Sequence, residues 1–231
     1  MNTPKITTAC SALLFLLAPV FAPAQDANLQ KVFAQMDASA PKFQDVQADI
    51  DVDNYTAVVQ EHEKQSGTIA FRRAHTSMEM VMQLDRGKPS ERDILYKNGE
   101  LDFYQPSAKQ ETVLAAGANR AEYDSLLATG FGASGTELAA AWDATFQGFE
   151  TLNGVQTAKL DLVSKQANVR SNFSHVTIWV DPARDISLKI IMLQPDGDSR
   201  TATYSNLRYN TRLADKLFTM KVPGGTQVQR R

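Results

Sequence analysis

Cysteine is nearly absent: the 231 residues contain one, Cys10. A single thiol excludes an internal disulfide framework and a cysteine-built metal site. Histidine is also scarce. His62, His75 and His175 lie far apart, without H-x-x-x-H or comparable ligand spacing, so the sequence offers no histidine metal motif. Its many serines include no G-x-S-x-G elbow. Neither sign of charge dominates, since 24 Lys and Arg stand against 26 Asp and Glu, a formal net charge of −2. That balance gives no support for nucleic-acid binding or for a basic membrane-surface patch. Long apolar runs are missing too. The run from Ala9 to Ala18 falls short of the ~20 residues a membrane-spanning helix needs.

What is present begins with an export pattern. Lys5 precedes that apolar run, and Pro19 and Ala22-Pro23-Ala24 follow it, the order of regions in a secretory signal peptide. Cleavage is expected before Gln25, so residues 1–24 form the signal and 25–231 a single domain. No lipobox is placed after Cys10. The expected mature chain is therefore soluble, exported and free of thiols, and its stability must come from packing.

Asp26 is placed to cap a helix in which Leu29, Val32, Phe33 and Met36 form one apolar stripe. From Phe43 the period changes to two: Val46, Ala48, Ile50 and Val52 alternate with Gln47, Asp49, Asp51 and Asp53. A second strand is expected over Val58 to Phe71, with Gly67 as a bulge or bend. Later strand-like runs are Ala144 to Thr151, Val155 to Val163, His175 to Val180, Ile186 to Gln194, Arg200 to Tyr209 and Leu217 to Val222. Asn153-Gly154 and Pro195-Asp196-Gly197 supply turns between them. Helical character is expected over Asn119 to Ala128, with Tyr123, Leu126 and Leu127 on one side. It returns at Leu138 to Trp142, where Ser134-x-x-Glu137 reads as a capping box.

The stretch from Gly67 to Gln105 is the most informative. Met78, Met80, Met82 and Leu84 alternate with Glu79, Val81 and Gln83, which puts four flexible apolar side chains on one strand face. Methionine is unbranched and polarizable, so it suits a surface that accepts apolar partners of variable outline, although the same alternation also fits an ordinary sheet core. Asn98-Gly99 between Ile94-Leu95-Tyr96 and Leu101-Asp102-Phe103-Tyr104 is a strong hairpin signal.

These residues also carry a family resemblance. Gly67 to Arg73, the alternating run, and Lys97-Asn98-Gly99-Glu100-Leu101-Asp102-Phe103-Tyr104-Gln105-Pro106 with Gln110 resemble the periplasmic outer-membrane lipoprotein carriers, the LolA-like proteins. Ala74 stands where that family usually has Pro, and Asp102-Phe103 where Trp is common. The resemblance implies a mainly β (α+β) fold, a half-open antiparallel barrel of about ten or eleven strands with an N-terminal helix and short lid helices. It implies an apolar ligand cavity, to which Met78, Met80, Met82, Leu84, Leu101, Phe103, Leu126, Leu127, Phe131, Leu138 and Trp142 are assigned. An arginine matched by Arg73 would hydrogen-bond the lid. No cofactor, metal or catalytic residue is implied. The implied partners are an acylated lipoprotein or lipid, an inner-membrane transporter and an outer-membrane acceptor, with the protein itself a monomer.

Gly130-Phe131-Gly132-Ala133-Ser134-Gly135 matches the dinucleotide fingerprint by letters alone. That motif requires a preceding parallel strand and a βαβ unit; here a helical segment precedes it and hairpins follow, so a hinge beside the lid is expected. Asp49, Asp51 and Asp53 share one wet strand face and diverge from a common centre, which disfavours a metal site. The function the resemblance implies is a periplasmic carrier that holds acyl chains of a lipoprotein or lipid in the cavity and delivers them toward the outer membrane, without turnover. A lipid-sensing or interaction module of the same fold is the alternative, and a hydrolase with unrecognised catalytic residues the third class.

Overall fold

A computed structural model describes residues 22–74, 77–115, 117 and 127–231. Twelve strands form one sheet. In chain order they are β1 Asp45–Thr56, β2 Glu61–Ala74, β3 Ser77–Leu84, β4 Arg92–Lys97, β5 Glu100–Gln105, β6 Gln110–Ala115, β7 Trp142–Leu152, β8 Val155–Ser164, β9 His175–Asp181, β10 Ile186–Leu193, β11 Ser199–Tyr209 and β12 Gln227–Arg230. Their spatial order is β12-β6-β5-β4-β3-β2-β1-β11-β10-β9-β8-β7, open between β12 and β7. Two consecutive antiparallel meanders are thus joined along a single seam, β1 against β11. Only β12 runs parallel to its neighbour, β6.

Alternation decides what each strand contributes. Val46, Ala48, Ile50 and Val52 from β1, Ile69 and Phe71 from β2, and Leu160, Ile178, Ile190 and Tyr204 from the second meander meet in one continuous core. Helix α1 (Ala22–Ser39) adds Val32, Phe33 and Met36, and α2 (Gly135–Ala141) adds Leu138. The Ser134/Glu137 capping box is formed in both directions, which satisfies donors that the first turn of α2 leaves open.

Several expectations are corrected. Helix α1 extends from Ala22, so Asp26 lies inside it rather than at its cap. Val58 and Val59 are not in β2: they form the tip of the β1–β2 hairpin, where Val58 is 88% exposed and Gln60 has φ 56°. Gly67 makes no bulge. Its register is unbroken towards both β1 and β3, and an added Cβ would lie 1.8 Å from the Gln83 carbonyl oxygen. Glycine is there because the neighbouring backbone passes too close for any side chain.

The expected strand over Leu217 to Val222 is instead a short 3-10 turn, Asp215–Leu217, followed by chain without regular secondary structure. This strap crosses the outer face of the first meander. Phe218 is fully buried there, against Ala70, Val81 and Leu95. An apolar patch already fixed on the strands takes these side chains, so their alternation is met without ladder pairing. Arg72 stacks on the Phe218 ring at 4.2 Å and pairs with Glu79 and Asp215. Lys97 donates to the Phe218 carbonyl at 3.2 Å. Glu79, a charged residue only 5% exposed, thereby sits between two cations, as burial of a carboxylate requires.

Candidate functional site

The inner face of the sheet is filled unevenly. Over its central part, on β1, β2 and β7–β11, it is packed into the core to which α1, α2 and the Gly130–Gly135 loop contribute. Phe131 is 1% exposed, stacks on Phe71 with centroids 4.1 Å apart and 16° between planes, and meets Tyr204 edge-on at 5.1 Å. Leu138 and Trp142 are buried in the same core, and Leu127 packs against it half-buried. Leu126, Tyr123 and most of the expected Asn119–Ala128 helix lie outside the described residues.

On β3–β6 the inner face is different. Pairings Met82 with Ile94, Ile94 with Phe103, Phe103 with Thr112, and Leu101 with Leu114 place these residues on one wall. All six are half-buried. Further along the same faces, Met78, Met80 and Leu84 are buried core residues at 4–5% exposure. The methionine stripe therefore divides: Met78 and Met80 have close-packed neighbours, contrary to the expectation that the whole stripe faces an adaptable surface, while Met82 borders the open wall. Position along β3 makes the difference: Met80 lies opposite Phe71, which stacks on Phe131, whereas Met82 lies opposite Ile69 and Ile94.

One rim of the sheet is closed by the glycine-rich loop. Arg73 Nη2 donates to the Gly132 carbonyl at 2.5 Å, and the Gly132 N–H donates to the Asp185 carbonyl at 2.9 Å. Gly132 has φ 79°, and an added Cβ would lie 2.6 Å from the Phe43 ring, so neither a left-handed turn nor this contact admits a larger residue. The six-residue string leads into α2 with no nucleotide-type βαβ unit around it. Asp185 is fully buried, and among the described residues neither carboxylate oxygen has a hydrogen-bond partner. Burial, partly offset by Arg73 and reinforced by Glu137 and Asp37, pushes its carboxyl up to about 8, so it is protonated at neutral pH. Sequence reasoning did not single out Asp185, which reads there as one more polar residue of the Asp-Pro turn.

At the opposite rim a cavity of about 280 Å³ is lined by Arg92, Phe103, Tyr104, Gln105, Gln110 and Thr112. It continues the open wall. Among the described residues no cluster of His, Cys, Asp and Glu is placed to hold a metal ion, and no helix is long and apolar enough to cross a membrane.

No protein-family model matches the chain, and no curated protein matches it. Solved structures do match. MucB aligns with TM-score 0.53 at 12% identity over 88% of this chain and 66% of MucB. The MucA/MucB complex of Pseudomonas aeruginosa aligns with TM-score 0.50 at 12% identity, over 84% of this chain and 61% of that one. An uncharacterized conserved protein from Thermus thermophilus aligns with TM-score 0.52 at 13% identity, over 88% and 99%. A LolA superfamily protein, NE2245 from Nitrosomonas europaea, is similar over 83% of this chain and 97% of its own at 13% identity, with TM-score 0.39. The fold is shared with MucB and with the Thermus thermophilus protein. At such identities the likeness is one of fold. Within this sheet, the distinctive geometry is an apolar inner wall on β3–β6 flanked by a latched loop at one rim and a polar cavity at the other.

Proposed function

We propose that the protein is a periplasmic carrier that holds acyl chains of a lipoprotein or lipid against the inner wall of β3–β6. It delivers them toward the outer membrane and catalyses no reaction. The observation that carries this reading is the wall itself: Met82, Ile94, Leu101, Phe103 and Leu114 share one face of β3–β6 and stay half-buried, beside a core in which Phe71, Phe131 and Tyr204 are buried. An acyl chain gains ~0.8 kcal/mol per CH₂ removed from water, several kcal/mol per chain after ordering costs. Arg73 supports the reading as a latch, since its bond to Gly132 ties β2 to the loop that leads into α2. Loading by an inner-membrane transporter and unloading to an outer-membrane acceptor complete the proposed route, with the carrier acting as a monomer.

A second reading, a lipid-responsive interaction module, is favoured by the shared fold with MucB, a protein solved in complex with MucA. The first test is native mass spectrometry with lipid extraction on protein purified from its own periplasm. A bound acylated molecule is expected, and protein free of lipid would sink both readings. Transfer of labelled lipid between two vesicle populations then separates carrier from module.

A further inference from the structure

The inner face changes character at the rim that carries the 280 Å³ cavity. By register, Arg92 follows Tyr96 and Ile94 on the inner side of β4, opposite the buried Leu84. Arg200 follows Tyr204 and Ala202 on the inner side of β11, between Met192 of β10 and Asn54 of β1. Two guanidinium groups therefore rise from one concave face, just beyond its apolar part. Arg200 keeps an exposed surface, yet desolvation by its neighbours and then the like charge of Arg92 lower its pKa below the ordinary value, with Glu63 the opposing carboxylate. Among the described residues neither arginine forms an ion pair. The Arg200 Nε donates to the neutral Asn54 side chain at 2.8 Å.

Two like charges on one face with a single carboxylate, Glu63, near them and no ion pair formed leave a net positive potential there, and guanidinium forks match the geometry of carboxylate and phosphate oxygens. The cavity beside Arg92 is small for a ligand site, where ~300–1,000 Å³ is usual, and its lining mixes Phe103 with Gln105, Gln110 and Thr112. That volume and lining suit a head group rather than acyl chains. The apolar wall of Met82, Ile94 and Leu101 lies directly below, along the same strands.

We infer that the Arg92/Arg200 rim is an anionic head-group site, so that the cargo is an amphiphile whose carboxylate or phosphate is held there while its acyl chain lies along β3–β6. This rests on the proposed carrier reading and adds the class of cargo. The discriminating experiment uses the full mature chain and four probes that share an oleoyl chain: oleate, oleyl alcohol, oleoyl lysophosphatidic acid and monoolein. At low salt each anionic probe, or one of the two, is expected to bind about tenfold or more tightly than its neutral counterpart. The R92Q/R200Q double variant should bring that probe to within about threefold of the neutral one and leave neutral binding unchanged. R92K should restore part of the difference. Preference for oleate identifies a carboxylate source and preference for the lysophosphatidic acid a phosphate source. Equal binding of all four by the wild type overturns the head-group site and spares the carrier. Equal loss of neutral and anionic binding in the double variant, at unchanged circular dichroism and melting temperature, also overturns it. No binding of any probe removes both.

Discussion

Arg73 and Gly132, 59 residues apart in the chain, are joined by a hydrogen bond that ties the end of β2 to the loop preceding α2. Removing it with Arg73→Leu should cost about 0.5–1.5 kcal/mol of stability, the usual net value of one hydrogen bond. Loss of the nearby cation should also raise the Asp185 carboxyl further. Bound fluorescent lipid is expected to dissociate several-fold faster. A large drop in melting temperature at an unchanged release rate would make Arg73 a purely structural contact.

Asp185 predicts an alkaline weakness. Its folded carboxyl titrates at about 8 against an ordinary 3.8, so the folded state holds a proton that the unfolded chain releases in between. Stability is unaffected by this group below pH 4 and declines as pH rises towards 8, by up to ~1.4 kcal/mol per pH unit. The neutral variant Asp185→Asn should flatten that limb of the profile, which denaturant midpoints from pH 5 to pH 8.5 would resolve. Asp85 runs the other way. Bonds from Lys88 and Ser90 lower its pKa to about 2, and the stability it gives above pH 4 fades as acid approaches that value.

The divided methionine stripe can be tested by moving one charge along it. Met80→Glu buries a carboxylate in packed core and should cost several kcal/mol, enough to threaten a domain whose total is ~5–15 kcal/mol. Met82→Glu borders the open wall, so the protein should stay folded and lose acyl binding. The check is a denaturant midpoint beside an acyl-probe titration for each variant. Equal destabilisation by the two substitutions would mean that the wall is as dry as the core.

Gly67→Ala is the smallest change with a large expected effect. A methyl group 1.8 Å from the Gln83 oxygen cannot be accommodated without parting β2 from β3, and a loss of about 3 kcal/mol or more is expected from such overpacking. Thermal melts would report it, and a shift of only a few degrees would show that the strands can yield.

The parts legible in sequence were those with local causes. Asn98-Gly99 and Asn153-Gly154 turn as expected, with φ values of 54°, 80°, 51° and 77°, because both residue types accept a left-handed backbone. The capping box is likewise a four-residue event. What escaped depends on distant partners. Gln227–Arg230 is mostly polar and lies at the surface, and only the free edge of β6 makes it a strand. The helix α3, Ala167–Asn172, is six residues long and carries no apolar stripe. Alternation put Met80 and Met82 on one face, but only the position of Phe131 separates the filled part of that face from the open part. Arg92 and Arg200 lie more than a hundred residues apart, and no sequence signal joins them before the seam does.

That seam has a kinetic consequence. The pairs within β2–β6 and within β7–β11 link strands adjacent in the chain, whereas Val46 must find Tyr209 and Val52 must find Ala202 across most of its length. Each meander can collapse early from short-range contacts, but neither buries its inner face until β1 docks on β11. High contact order at this one junction makes it the expected slow step, and loop-closure entropy is spent there late. Pulse-labelled hydrogen exchange should therefore protect the amides of β3–β5 and β8–β10 first, and those shared between β1 and β11 last.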